Sequence, residues 1–225
     1  MTNNNNDVSD FIISYLTMRR IIGILGIGLP IIVVLGSFIQ NGFVLGESIS
    51  SYYYTNMHDF FVGLLSCVGL FLISYKGYER IDSITSTISG VLALGISLFP
   101  TSTEIIGINK VGIFQLNNKI SVYFHLTFAS LFFLSMAFIS IFLFTRNESN
   151  MLTKEKKKRN LVYIVCGCII LFSILCIIVY TAALQNTFIA TLKPILIFET
   201  LSLISFGVSW LVKGETLFRD KKEFE

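Results

Sequence analysis

Charge is what this 225-residue chain has least of. Asp, Glu, Lys and Arg together make up 14% of it, where a soluble domain carries roughly 25%. A soluble domain of this length with so few charges lacks the polar surface to cover itself. Histidine occurs twice and cysteine four times, and the Gly-x-Ser-x-Gly, His-Glu-x-x-His and phosphate-loop patterns are missing. The mean hydropathy of +0.73 excludes a disordered chain, a nucleic-acid-binding domain and a secreted disulfide scaffold. No internal repeat shows, direct or inverted, and low complexity is confined to the Asn tract at residues 3–6. Ahead of the first apolar run there is no basic stretch with a short apolar core, and no small-residue cleavage site follows, so no removed signal peptide is expected.

What is present is apolar, 53% of the residues. The runs fall at about 21–45, 59–75, 83–100, 120–145, 161–184 and 194–212. Each is near or above the roughly 20 residues a helix needs to cross about 30 Å of hydrocarbon, the second and third at the short end. A transmembrane barrel would instead alternate strictly in segments of about ten residues. The expected fold is an all-α membrane protein, a bundle of six transmembrane helices. Residues 1–20 form an N-terminal segment, 21–212 the transmembrane domain and 213–225 a C-terminal tail. Within the first segment, residues 9–18 carry Phe11, Ile12, Ile13, Tyr15 and Leu16 and read as a short interfacial helix.

Lys and Arg set the orientation. Arg19, Arg20, Lys76, Arg80, Arg146, the run at 154–159, Lys213, Arg219, Lys221 and Lys222 fall on one side, 14 of the 17 basic residues. Lys110, Lys119 and Lys193 fall on the other. By the positive-inside rule both termini are cytoplasmic, and the net charge of +3 is a topology signal rather than a sign of an anionic substrate. The run at 154–159 reads as a stop-transfer flank, with binding to anionic headgroups as the alternative.

Cys67, Cys166, Cys168 and Cys176 all lie inside spans and read as small apolar fillers, with Cys166 and Cys168 on different helix faces. Ser86, Gly90, Ala93, Ser97 and Thr101 keep one face of the third span small. The second span begins a similar stripe with Asp59, Gly63 and Ser66, and the sixth continues Glu199 with Ser202 and Ser209. The first carries Gly23, Gly26 and Gly28 ahead of Pro30, where a kink is expected. The plain reading of such stripes is helix–helix contact. A contact with a second copy of the chain would make the protein a scaffold or a homo-oligomer.

An ionisable side chain at the bilayer centre costs at least about 2.5 kcal/mol unless it is paired or hydrated, so the few inside spans are informative. Asp59, beside His58, opens the second span, while His125 and Glu199 each lie about five residues into theirs from the outer side. Three helices thus bring polar groups to the outer leaflet. They read either as a hydrogen-bonded network that fixes helix register or as an outward-facing polar pocket that binds or moves a small solute, an ion or a lipid headgroup. The preceding segment, from Glu47 through Ser48, Ser50 and Ser51 to Tyr52, Tyr53 and Tyr54, supplies interfacial anchors or the mouth of that pocket. Lys193 either snorkels to headgroups or pairs with Glu47 or Asp59. The expected partners are the bilayer and such a ligand, not nucleic acid; no cofactor, metal or catalytic residue is assigned.

Residues 48–55 (Ser-Ile-Ser-Ser-Tyr-Tyr-Tyr-Thr), 58–63 (His-Asp-Phe-Phe-Val-Gly), 74–80 (Ser-Tyr-Lys-Gly-Tyr-Glu-Arg) and 206–214 (Phe-Gly-Val-Ser-Trp-Leu-Val-Lys-Gly) are similar to stretches in a group of uncharacterised bacterial multi-span membrane proteins. That resemblance covers most of the chain and implies a bacterial inner membrane; in it the position of His58 is more generally basic than a fixed ligand. A weaker resemblance, to the alkaline ceramidases, implies an enzymatic alternative: a metal-dependent intramembrane hydrolase with ligands from His58, Asp59, His125 and Glu199. Those enzymes use three His with Ser and Asp, whereas this chain has two His in all.

Overall fold

A computed structural model describes residues 3–42, 45–103, 109–146 and 153–219, and of residues 3–14 and 41 the backbone alone. Six α-helices carry the chain: α1 (Asn3–Asn41), α2 (His58–Ser74), α3 (Arg80–Leu98), α4 (Asn118–Phe138), α5 (Lys154–Val179) and α6 (Pro194–Lys213). A π-helical segment extends α4 over Ile139–Leu143, and another extends α5 over Tyr180–Leu184. Two-residue strands β1 (Lys110–Val111) and β2 (Leu116–Asn117) pair antiparallel in a small hairpin, a departure from an all-helical chain.

Local chemistry sets the helix ends. Glu79 and Asp82 form a reciprocal capping box at the start of α3. The Thr153 side chain accepts from the Lys156 amide to start α5, and Pro194 opens α6, where its missing N–H costs nothing.

The helices form a ring. Each packs on the next in sequence, and α6 closes back onto α1. Its centre is filled by Leu29 and Val33 of α1, Leu65 and Val68 of α2, Ala93 of α3, Phe132 and Met136 of α4, and Phe206 and Trp210 of α6. Small residues set how closely neighbours approach. Gly69 of α2 and Gly90 of α3 face each other backbone to backbone: a Cβ on Gly69 would stand 2.9 Å from the Gly90 carbonyl oxygen. Gly207 of α6 meets Gly23 of α1 in the same way, at 2.6 Å. The Ser86 hydroxyl donates to the Leu72 carbonyl at 2.6 Å, and Ser66 donates to Ser97 at 3.2 Å. The α3 stripe is therefore spent on α2 within one chain.

Outward, all six helices expose large apolar side chains, among them Ile24, Leu70, Ile88, Leu126, Phe172 and Ile197. Among the described residues, five helical segments are long and apolar enough to cross a membrane: Tyr15–Gln40, Arg80–Leu98, Asn118–Leu143, Lys154–Leu184 and Pro194–Lys213. Helix α2, at 17 residues, is apolar but shorter.

Several expectations change. Residues 9–18 are not a separate helix but early turns of α1, which contains Pro30 and ends at Asn41 rather than near Leu45. The basic run at 154–159 forms the first turns of α5, ahead of its apolar stretch, and Arg159 is buried. Of the cysteines, Cys166 is buried as a filler should be, whereas Cys67 and Cys168 face outward. The α2 stripe is displaced by one turn: Asp59 and Gly63 are exposed, and Ser66 and Gly69 make the contact. Lys221, Lys222 and the rest of the C-terminal tail beyond residue 219 lie outside the described residues.

Candidate functional site

The two ends of the ring are built differently. At one end the connection between α1 and α2 folds back into the mouth of the bundle, burying Ser48, Ile49, Ser50, Tyr52 and Met57. Buried irregular backbone needs partners for its polar groups, and several are supplied here. Ser51 donates its amide to the Ser48 hydroxyl at 3.0 Å and its own hydroxyl to the Ser48 carbonyl at 2.7 Å. Tyr54 donates to the Thr101 carbonyl at 2.7 Å, tying the segment to the chain beyond α3. Burial, and then Tyr53 beside it, push the Tyr54 phenol up to about 12, so it remains a donor at neutral pH. Residues Ser50–Tyr54 form a single 3₁₀ turn whose leading amides lack intrahelical acceptors. Glu199 of α6 supplies one: its Oε2 accepts from the Ile49 amide at 2.6 Å, with the Ser50 amide as a second donor. Glu47 pairs with Lys193 at the start of α6. Two acidic groups thus latch this plug onto α6.

Beneath the plug lies a cavity of about 30 Å³, room for about two water molecules. Its walls are apolar, with Phe61, Phe132 and Phe133 joined by Leu29, Leu65 and Leu203; Glu199 and Ser50 are the residues that bring side-chain oxygen to the lining.

The seven candidates separate into groups. Glu47, Ser51, Lys193 and Glu199 meet in the plug and its latch. His58 joins them indirectly: its Nδ1 donates to the Tyr53 carbonyl at 2.7 Å and its ring packs edge-on against Tyr53. His125, 2% exposed, lies apart from Glu199 in its bonding and donates from Nδ1 to the Phe99 carbonyl at 2.7 Å, holding α4 to the end of α3. Asp59 stands exposed in the first turn of α2. Nor does Asp59 pair with Lys193, whose partner is Glu47. Among the described residues, no three of His, Cys, Asp and Glu come close enough to share a metal ion.

At the opposite end a second cluster has no counterpart among the sequence candidates. Arg19, 3% exposed, donates to the Tyr75 hydroxyl and to the Lys213 carbonyl, each at 3.1 Å. Its guanidinium lies 4.1 Å from the centre of the Tyr15 ring. Tyr75 meets Trp210 edge-on, and the Lys213 ammonium sits between the Tyr78 and Phe144 rings. The π-helical segment after α4 lines the small adjoining cavity of about 10 Å³. Arg20 donates to the Gly214 carbonyl at 2.8 Å, and Arg146 pairs with Glu79 at 2.7 Å. The basic residues of α1, α3, α5 and α6 therefore gather at one end, as their alternation along the sequence requires. A faint signal for the cluster was available: Tyr15 and Arg19 are four apart on one helix face.

Helices long and apolar enough to cross a membrane, with large apolar side chains exposed on every side, make this a multi-pass membrane protein. Comparison with family models, curated proteins and solved structures returns no match.

Proposed function

We propose that the protein spans the membrane six times with both termini in the cytoplasm, and that its outer half encloses a site that binds or moves a small solute or ion. Helix α2 counts as the sixth span because it starts at the plug and ends at Tyr75 in the basic cluster, opposite ends of the ring. The excess of Lys and Arg at the Arg19 end supports placing that end in the cytoplasm, and the resemblance of four sequence stretches supports a bacterial inner membrane.

One observation carries the solute site: Glu199 is on the wall of a half-open cavity while its carboxylate also holds the segment that supplies part of that wall. Occupancy and the attachment of the plug thereby meet at one side chain. The cavity's size fits a solute or ion of a few atoms; a lipid headgroup requires the plug to move aside. The hydrolase alternative draws no support from ligands so dispersed, and the scaffold alternative draws none from Gly90 of α3 or from Gly23 and Gly207 of α1 and α6, which face neighbouring helices of the same chain.

The test uses a chain whose four native cysteines are changed to alanine and which carries Ser50→Cys, reconstituted in vesicles. A small, membrane-impermeant thiol reagent added outside should modify the new thiol slowly, and faster once Glu199→Gln weakens the latch. Modification from the inner side alone, or none in either variant, would refute an outer site.

A further inference from the structure

We infer that the solute taken by the outer cavity is a small ammonium cation, ammonium ion itself or methylammonium, held by the Glu199 carboxylate against phenylalanine rings. The inference rests on reading the cavity as a solute site and concerns what the walls select. A hard metal cation needs about six oxygen ligands, and the side chains here offer one carboxylate and one hydroxyl, from Glu199 and Ser50. An anion needs donors, and among the described residues the lining holds no Lys, Arg, His, Asn or Gln. A sugar-like solute needs several hydrogen-bonding groups and more room.

An ammonium group fits what remains. A carboxylate accepts about four hydrogen bonds, and the Ile49 and Ser50 amides occupy two. No cationic side chain pairs with Glu199 among the described residues, so a cation entering the cavity would meet no competing counter-ion there. Phe61, Phe132 and Phe133 line the cavity, and aromatic rings attract a cation without demanding further oxygens. The volume of about 30 Å³ suits two heavy atoms, the size of methylammonium.

The experiment is equilibrium binding of radiolabelled methylammonium to the purified full-length protein in lipid nanodiscs. One saturable site per chain is expected, displaced by ammonium but not by sodium or tetraethylammonium. Glu199→Gln should abolish it. Because that variant also loosens the plug, Ala129→Leu provides a second arm: Ala129 lines the cavity, and the larger side chain fills it while leaving Glu199 in place. Its binding should fall about tenfold or more. Absence of saturable binding to the unaltered protein, equal displacement by sodium, or undiminished binding in Ala129→Leu each overturns the ammonium assignment. If the Ser50→Cys thiol is modified from outside yet methylammonium does not bind, the outer site stands and the ligand class falls. If neither occurs, both fall.

Discussion

Arg19 shows how a charged side chain can belong to the interior of this protein. Its hydrogen bonds reach the Tyr75 hydroxyl and the Lys213 carbonyl, so one guanidinium joins α1, the end of α2 and the end of α6. Truncation by Arg19→Ala removes both bonds and the contact with the Tyr15 ring, and should destabilise the folded protein by about 2 to 3 kcal/mol. Arg19→Lys keeps the charge but not the fork that reaches two acceptors, and should cost less. Thermal unfolding in detergent measures both; equal melting temperatures for the three proteins would contradict the assignment. At the other end, Glu199→Gln exchanges a charged acceptor for a neutral one, with an expected loss of about 1 to 2 kcal/mol. The melting temperature should fall while Ser50→Cys labelling speeds up, a combination that simple surface loosening elsewhere would not give.

Between helices, two glycines that look alike in the sequence have opposite roles. Gly90 of α3 rests against the backbone of α2, and a Cβ there meets the Gly69 carbonyl. Gly63, in the interior of α2, has open space where a Cβ would go. Gly90→Ala must push two helices apart and should destabilise by about 1 to 3 kcal/mol. Gly63→Ala gains helix propensity and should stabilise by roughly 0.5 to 1 kcal/mol. The pair is a test of helix rotation: melting shifts of the same sign would mean that α2 presents another face to α3. The sequence stripe identified the contact face on α3; on α2 it named Ser66, which makes the contact, together with Asp59 and Gly63, which are exposed. Helices that are apolar nearly all round carry little periodic signal about which face turns inward.

For the molecule as a whole, the ring places the β1–β2 hairpin and the plug at one end and the basic cluster at the other. A membrane-impermeant maleimide added to intact cells should label Lys110→Cys, beside the hairpin turn, without permeabilisation. Thr153→Cys, at the start of α5, should be labelled only after permeabilisation. The reverse pattern would invert the protein and turn the Glu199 cavity toward the cytoplasm. Both variants are made in the cysteine-free chain, because Cys67 and Cys168 face outward.

Sequence alone determined that the chain folds into apolar helices, roughly where they lie, and that most of the cations gather at one end. Both follow from local composition: length against bilayer thickness, and charge against the cost of burial. It also brought forward Glu199 and His125, because polar groups within apolar runs stand out without any knowledge of neighbours. What they bond to was decided by tertiary structure. The Glu199 partner, the Ile49 amide, is 150 residues away along the chain, and the His125 partner, the Phe99 carbonyl, is 26 away. Such pairings depend on how far each helix is rotated in the ring and on a plug whose fold is stabilised only within its mouth. Arg19 is the same lesson in reverse: a cation near the end of a span reads as a flank, and only the packing of α1 against α2 and α6 makes it interior.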